Sequence, residues 1–200
     1  MILWDVYTQV DFMLPEGKLY VPGAEETAPA MRRLVEAARE AEVVHVASAD
    51  DHELTDPEIS TEPDFSSTYP PHCLRGTRGA RKIDATDQED PIPIGLEPLD
   101  EKWLRGREFL LLKKHFDVFT NPNTERLLAR LDPDEVILFG VATDVCDDAA
   151  IRGLLARGRT VTFVEDAARG LDEARTARCL EAWREGGVRF AGVDAVLASL

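Results

Sequence analysis

One cysteine, one lysine and a short run of acids and histidines carry most of the chemistry open to this chain. The strongest segment is VILFGVATDVCDDAA, residues 136–150. An apolar run ends at Gly140 and helical patterning resumes near Asp144, so Cys146 falls in the first turn of a helix that follows a buried strand. Unpaired N–H groups and the helix dipole favour a thiolate there. The same N–H groups can receive the oxyanion formed when a nucleophile attacks a carbonyl. Thr143 or Asp144 stands where a side chain would cap the turn. Asp144, Asp147 and Asp148 oppose ionisation of the thiol, so a basic partner is required. Lys113 closes the apolar run in LLLKKHFDVF and is placed to be that partner at the same rim. A third group begins at Asp50 and His52, which share one face of an extended chain, and continues at His72 in STYPPHC. Two imidazoles with one or two carboxylates suit Zn²⁺, Fe²⁺ or Mn²⁺.

The elements that must position these groups alternate. Apolar runs predict strands over 2–7, 43–48, 109–112, 136–139, 160–164 and 188–191, and helical spacing predicts helices over 24–41, 123–131, 144–157, 172–185 and 193–200. Continuous apolar strands separated by helices predict an α/β fold. The expectation is a three-layer, doubly wound sheet of six mostly parallel strands with helices on both faces. Ligands bind beyond the carboxyl ends of strands in such sheets, and Cys146, Lys113 and Asp50 all follow strands. The proline-rich stretch 50–108 breaks the alternation. A long insertion folded over the strand ends is expected there, within a single domain covering 1–200.

The motif GVATDVC resembles the nucleophile segment of the isochorismatase-like cysteine hydrolases, a family that includes nicotinamidases, N-carbamoylsarcosine amidases and ureidoacrylate amidases. TQVDF, GKLYVPGAE, PPHCLRGTRGA, KKHFDVF and ARGRTVTFVEDA resemble further family segments in the family's order. The resemblance implies a cysteine hydrolase of a small-molecule amide C–N bond, working through a thioester on Cys146. It implies a cis peptide bond at Val141–Ala142, an oxyanion hole from the Ala142 and Cys146 N–H groups, and Lys113, rather than Lys114, as the catalytic lysine. Similarity to the metal-binding nicotinamidase branch implies a divalent metal on Asp50, His52 and His72, with Glu58 near the place of a further histidine, and no organic cofactor.

One position departs from the pattern. Tyr7 stands where the family carries the Asp that moves the thiol proton, and a phenol near pKa 10 is a poor substitute. Asp5 lies on the same strand face but about 6–7 Å further from the strand end. Three outcomes stay open: Tyr7 disables hydrolysis and leaves a small-molecule binding protein, Asp5 or a loop Glu replaces the missing acid, or the Cys146–Lys113 pair runs different chemistry. An isochorismatase-type hydrolase is a further alternative within the family. Asp11, in the turn beyond, reads as structural.

Composition narrows the rest. A net charge of −15, from 38 acids and 23 bases, argues against nucleic acid as a partner. There is no Gly-rich phosphate loop after the first strand. No apolar run is long enough to span a bilayer, and the first residues read as a strand rather than a signal peptide. Three dispersed cysteines suit a reduced, cytoplasmic protein. The expected partner is a small amide substrate, and the family resemblance implies a homo-oligomer.

Overall fold

The computed structural model of the chain describes residues 1–99 and 105–200; residues 100–104, inside the expected 50–108 insertion, lie outside the described residues. Among the described residues, seven strands form one sheet in the order β3-β4-β2-β1-β5-β6-β7, with every pairing parallel. They are β1 Ile2–Val6, β2 Val44–Asp50, β3 Ile92–Ile94, β4 Glu108–Lys113, β5 Glu135–Val141, β6 Thr160–Arg169 and β7 Arg189–Ala191. The helices are α1 Val10–Met13, α2 Ala28–Glu40, α3 Asn123–Leu131, α4 Asp148–Ala156, α5 Glu173–Glu185 and α6 Val193–Leu197.

The sheet has one strand more than the six expected. β3 is three residues long and contains Pro93, too short and too proline-interrupted to read as a strand. It pairs only with β4, at the edge of the sheet, where a residue without an N–H is tolerated. The helix expected over 24–41 divides into a 3-10 turn, Ala24–Thr27, and α2. α2 buries Met31, Leu34, Val35 and Ala38 along one stripe.

β1 is buried at all five positions and lies between β2 and β5. Chain order reverses at β1 and β5: β2, β4 and β3 extend one way, β6 and β7 the other. Right-handed crossovers then put α2 on one face and α3, α4 and α5 on the other. α6 returns to pack on α2 and β6. The carboxyl ends of β1, β2, β4 and β5 converge beside the reversal, where open α/β sheets bind ligands. At Gly140, on β5, φ is 141° and an added Cβ would lie 2.1 Å from the Val6 carbonyl oxygen, so only glycine lets the two central strands meet there.

Much of 51–91 folds back over this rim. Isolated bridges pair His52 with Leu74, Ile59 with Tyr69 and Gln9 with Lys82. Lys82 delivers its amine to Asp5, which is fully buried on β1. Asp5 also meets His45 Nε2 at 2.5 Å and accepts from Thr8 Oγ1 at 2.8 Å. Burial alone would raise the Asp5 carboxyl, but Lys82 and His45 outweigh it and hold the group below the usual carboxylate range. No helix among the described residues is long and apolar enough to cross a membrane.

Removing one member of a buried ion pair strands the other. Lys82→Met is expected to cost about 3–5 kcal/mol in urea unfolding, and Asp5→Asn in the same chain to recover a large part of that loss. A Lys82→Met protein with unchanged stability would show that Asp5 does not depend on the amine.

Candidate active site

The end of β5 sets the cysteine. The Val141–Ala142 peptide bond is cis, and residues Thr143–Asp147 form a π turn before α4 begins at Asp148. The helix expected from 144 therefore opens with a wider turn. The Ala142 carbonyl accepts from the N–H groups of both Val145 (3.0 Å) and Asp147 (3.2 Å). Ala142 itself occupies the N-cap position without a side-chain cap, so neither Thr143 nor Asp144 plays the capping part expected. Asp144 turns toward the 171–175 segment instead: it accepts from the N–H groups of Leu171 (2.7 Å) and Asp172 (3.2 Å) and pairs with Arg175 at 3.0 Å.

Cys146 is 8% exposed and lines a cavity of about 440 Å³ together with Ala142, Tyr7, Asp50, Glu58 and His72. Lys113, the last residue of β4, stands behind Tyr7 and Asp50. It donates to Asp50 Oδ1 at 2.7 Å and lies 3.2 Å from the centroid of the Tyr7 ring. Burial pushes its amine well below the usual lysine range, with Cys146 and Asp117 acting the other way. Burial likewise pushes the Cys146 thiol up; Lys113 and the Ala142 backbone pull it down, while Asp50 and Asp147 add to the rise. The net result is a thiol that holds its proton at neutral pH.

Tyr7 follows β1 directly with φ at 55°, uncommon for a bulky side chain. Its hydroxyl donates to the His115 carbonyl at 3.1 Å, and its ring meets Phe12 edge-on at 5.1 Å. The phenol's proton is thus engaged away from the sulfur. Asp5, weighed as a replacement acid, is committed to Lys82, His45 and Thr8 and does not line the cavity.

Asp50 uses both oxygens. Oδ1 meets Lys113, while Oδ2 lies 3.4 Å from His72 Nε2 and 3.7 Å from His52 Nε2. Ligand atoms of Asp50, His52 and His72 fall within 4.8 Å of one another, and all three residues are buried. Glu58 adds an oxygen 3.5 Å from His52 Nε2. That nitrogen is buried with no hydrogen-bond partner, as a ligand aimed at an ion would be. The donor set, two imidazoles and two carboxylates, fits a divalent metal. Burial and Asp50 raise the Glu58 carboxyl to about 7, against the pull of His52 and His72. Burial would lower His52, but Asp50, Glu58 and Asp56 lift it above its ordinary value.

Two supports lie in the TQVDF segment. Gln9, fully buried, accepts from the Asp50 N–H (2.7 Å) and donates to the Asp50 carbonyl (2.8 Å). Asp11 accepts from the N–H groups of Cys73 (2.7 Å) and Lys18 (3.1 Å), fixing the segment that carries His72. The Gln9 clamp had no sign in spacing, because its partner is 41 residues away. Tyr69, Phe116 and Arg175, on the cavity wall, were equally silent, since loop packing brings them there.

The isochorismatase domain family model matches residues 1–194. The chain is 27% identical over 193 residues to the nicotinamidase/pyrazinamidase of Mycobacterium tuberculosis, covering 87% of this chain and 89% of that one. It is 24% identical over 186 residues to the nicotinamidase of Saccharomyces cerevisiae, covering 82% and 86%. Among solved structures, a zinc complex of the pyrazinamidase of Pyrococcus horikoshii superposes with a TM-score of 0.78 at 22% identity, over 96% of this chain and 98% of that one. The N-carbamoylsarcosine amidase of Thermoplasma acidophilum gives 0.74 at 23% identity, over 96% of each chain. These structural likenesses establish the fold.

Asp147, next to Cys146, is fully buried and neither carboxylate oxygen has a hydrogen-bond partner. Burial, then the charges of Asp144 and Asp148, raise its carboxyl well above the usual range. A carboxyl raised in the folded state favours folding while protonated, and that advantage is lost as pH climbs from the unfolded value, about 4, toward the folded one. Asparagine does not ionise. Asp147→Asn is therefore expected to match the parent near pH 4 and to exceed its stability increasingly toward pH 8, by roughly 1–3 kcal/mol. Urea midpoints across that range measure the difference, and a constant offset would contradict the assignment.

Proposed function

The chain belongs to the isochorismatase family, and from that footing we propose that it is an amidase opening the C–N bond of a small amide through a thioester on Cys146. The observation that carries this reading is that Cys146 and Ala142 line one cavity on the carboxyl rim of the sheet, with Lys113 behind its lining residues Tyr7 and Asp50 and favouring the thiolate by its charge. The nicotinamidase relatives support the same class.

In this reading the sulfur of Cys146 bonds to the amide carbonyl carbon. The N–H groups of Ala142 and Cys146 receive the oxyanion. Collapse breaks the C–N bond, and the nitrogen leaves as ammonia with the proton that the thiol gave up. Water then adds its hydroxyl to the acyl carbon, the C–S bond breaks, and the remaining proton returns to sulfur. Lys113 is the cation that steadies the sulfur as charge develops on it. Asp50, His52, His72 and Glu58 are the residues that would hold a divalent ion such as Zn²⁺, Fe²⁺ or Mn²⁺, and such an ion supplies a Lewis-acid anchor for a nitrogen or oxygen ligand.

Tyr7 sets the rate. Its hydroxyl is spent on the His115 carbonyl, so no general base stands at the end of β1. Loss of such a base costs roughly 10²–10⁴-fold. That same residue favours a second reading, a homologue that binds a small molecule without turning it over.

Ammonia release from a panel of small amides, nicotinamide among them, tests the proposal. Activity is expected to be slow and to vanish in Cys146→Ala. Tyr7→Asp is expected to raise kcat/KM by about 10²–10⁴-fold. A folded Tyr7→Asp protein that releases no ammonia would favour the binding reading instead. The metal assignment has its own measurement: His52→Ala should lose the divalent metal that the parent chain retains after purification, read by elemental analysis. Equal metal content in the two would refute it.

A further inference from the structure

A neutral imidazole carries its proton on one nitrogen and a bare lone pair on the other, and only the bare nitrogen can bind a cation. Both rings of the Asp50 cluster have that choice made by acceptors outside it. His72 Nδ1 lies 2.8 Å from the Pro70 carbonyl. His52 Nδ1 lies 3.3 Å from Asp56 Oδ2. A carbonyl and a carboxylate only accept, so each Nδ1 is the donor. At its other edge, His52 Nε2 is 3.5 Å from Glu58 and 3.7 Å from Asp50. Those separations exceed ordinary N–H···O lengths, and the nitrogen has no partner. Its lone pair shares the space of the carboxylate oxygens instead.

Asp56 is itself held. Its N–H closes a turn on the Glu53 carbonyl at 3.0 Å. The same Oδ2 that meets His52 accepts from the Glu53 N–H at 2.8 Å and pairs with Lys114 at 3.0 Å. Lys114 also donates to the Asp51 carbonyl. The two lysines of KKHFDVF therefore have separate partners: Lys113 meets Asp50, inside the cluster, and Lys114 meets Asp56, behind it. Neither Asp56 nor Lys114 lines the cavity beside Cys146, so their reach into it runs through His52.

We propose that Asp56, anchored by Lys114, is a positioning residue that keeps the proton of His52 on Nδ1 and so presents Nε2 as a metal ligand. The inference rests on the metal assignment made above for Asp50, His52, His72 and Glu58. A carboxylate behind a ligating imidazole fixes the ring and raises its basicity, and its loss typically weakens metal binding by about 10–100-fold. His72 needs no side chain for this, because a backbone carbonyl already holds its Nδ1.

Zinc affinity of the full chain, stripped of metal and measured by competition with a chromophoric chelator, tests this together with nitrogen-15 spectra of the histidine rings. The spectra are taken on metal-free protein at a pH high enough to leave imidazoles neutral. The parent is expected to show the His52 proton on Nδ1. Asp56→Ala should lose that preference, leave His72 unchanged and weaken zinc binding by about 10–100-fold. Asp56→Asn keeps an acceptor oxygen and should fall between the two. A residue that only braces the loop would alter urea stability without moving the His52 tautomer, and that result would overturn the proposal. Zinc bound equally by the parent and His52→Ala, or by neither, sinks the metal assignment and the proposal with it. Zinc binding that depends on His52 but changes by less than about twofold in Asp56→Ala overturns the proposal alone.

Discussion

The pairing of Lys113 with Asp50 holds the candidate site together. The two residues lie side by side in the register of β4 and β2, and both are buried. The amine donates to the carboxylate at 2.7 Å, and leaving either group unpaired at that depth would be costly. The pair is in turn pinned through the backbone of Asp50, where Gln9 closes both the N–H and the carbonyl. Asp50 then spends its second oxygen on the two imidazoles. One carboxylate therefore joins the amine of Lys113 to the cluster that fits a metal. A change of charge at either end of Asp50 is felt at the other, because a low-dielectric interior screens little.

Tyr7 fits its place beyond β1 through contacts that a carboxylate there would not make. A carboxylate at the end of β1 would have been a second anion beside Lys113. The ring that stands there meets the amine face-on at 3.2 Å, an attraction that needs no ionised partner. The ring also packs on Phe12 and closes the floor of the cavity. Lys113 thus keeps an electron-rich neighbour on one side and Asp50 on the other. The thiol gains nothing equivalent: with one acid fewer to take its proton, burial dominates its ionisation.

Much of this arrangement was legible in the residues. Apolar runs located the strands that carry Lys113 and Asp50: β2 is buried at all but its first position, and β4 is buried at alternate positions but still reads as a continuous apolar run. Period-two alternation put Asp50 and His52 on one face, and the fold brings them together with His72. What was not legible depended on partners distant in sequence or on local geometry that composition does not encode. β3 hid behind its length and Pro93. The π turn at Thr143–Asp147 follows the cis bond at Ala142 and has no periodic signature distinct from an α-turn. Asp5 looked like a spare acid until Lys82, 77 residues away, was seen to claim it.

The acids around Cys146 carry the same lesson into electrostatics. Counted along the chain, Asp144, Asp147 and Asp148 are three charges set against a thiolate. Folded, they have separate fates. Asp144 organises the 171–175 segment and Arg175. Asp148 accepts from Trp183 Nε1 at 2.8 Å and pairs with Arg152. Only Asp147 acts on the sulfur, together with Asp50, and burial favours its neutral form. Burial of Asp147 thus works against the very opposition to the thiolate that its charge would exert. The thiol is then governed by desolvation, which ligand binding in the cavity would deepen, and by Lys113. Against that desolvation stand the amine at 113 and the Ala142 backbone, the two groups that favour the ionised sulfur.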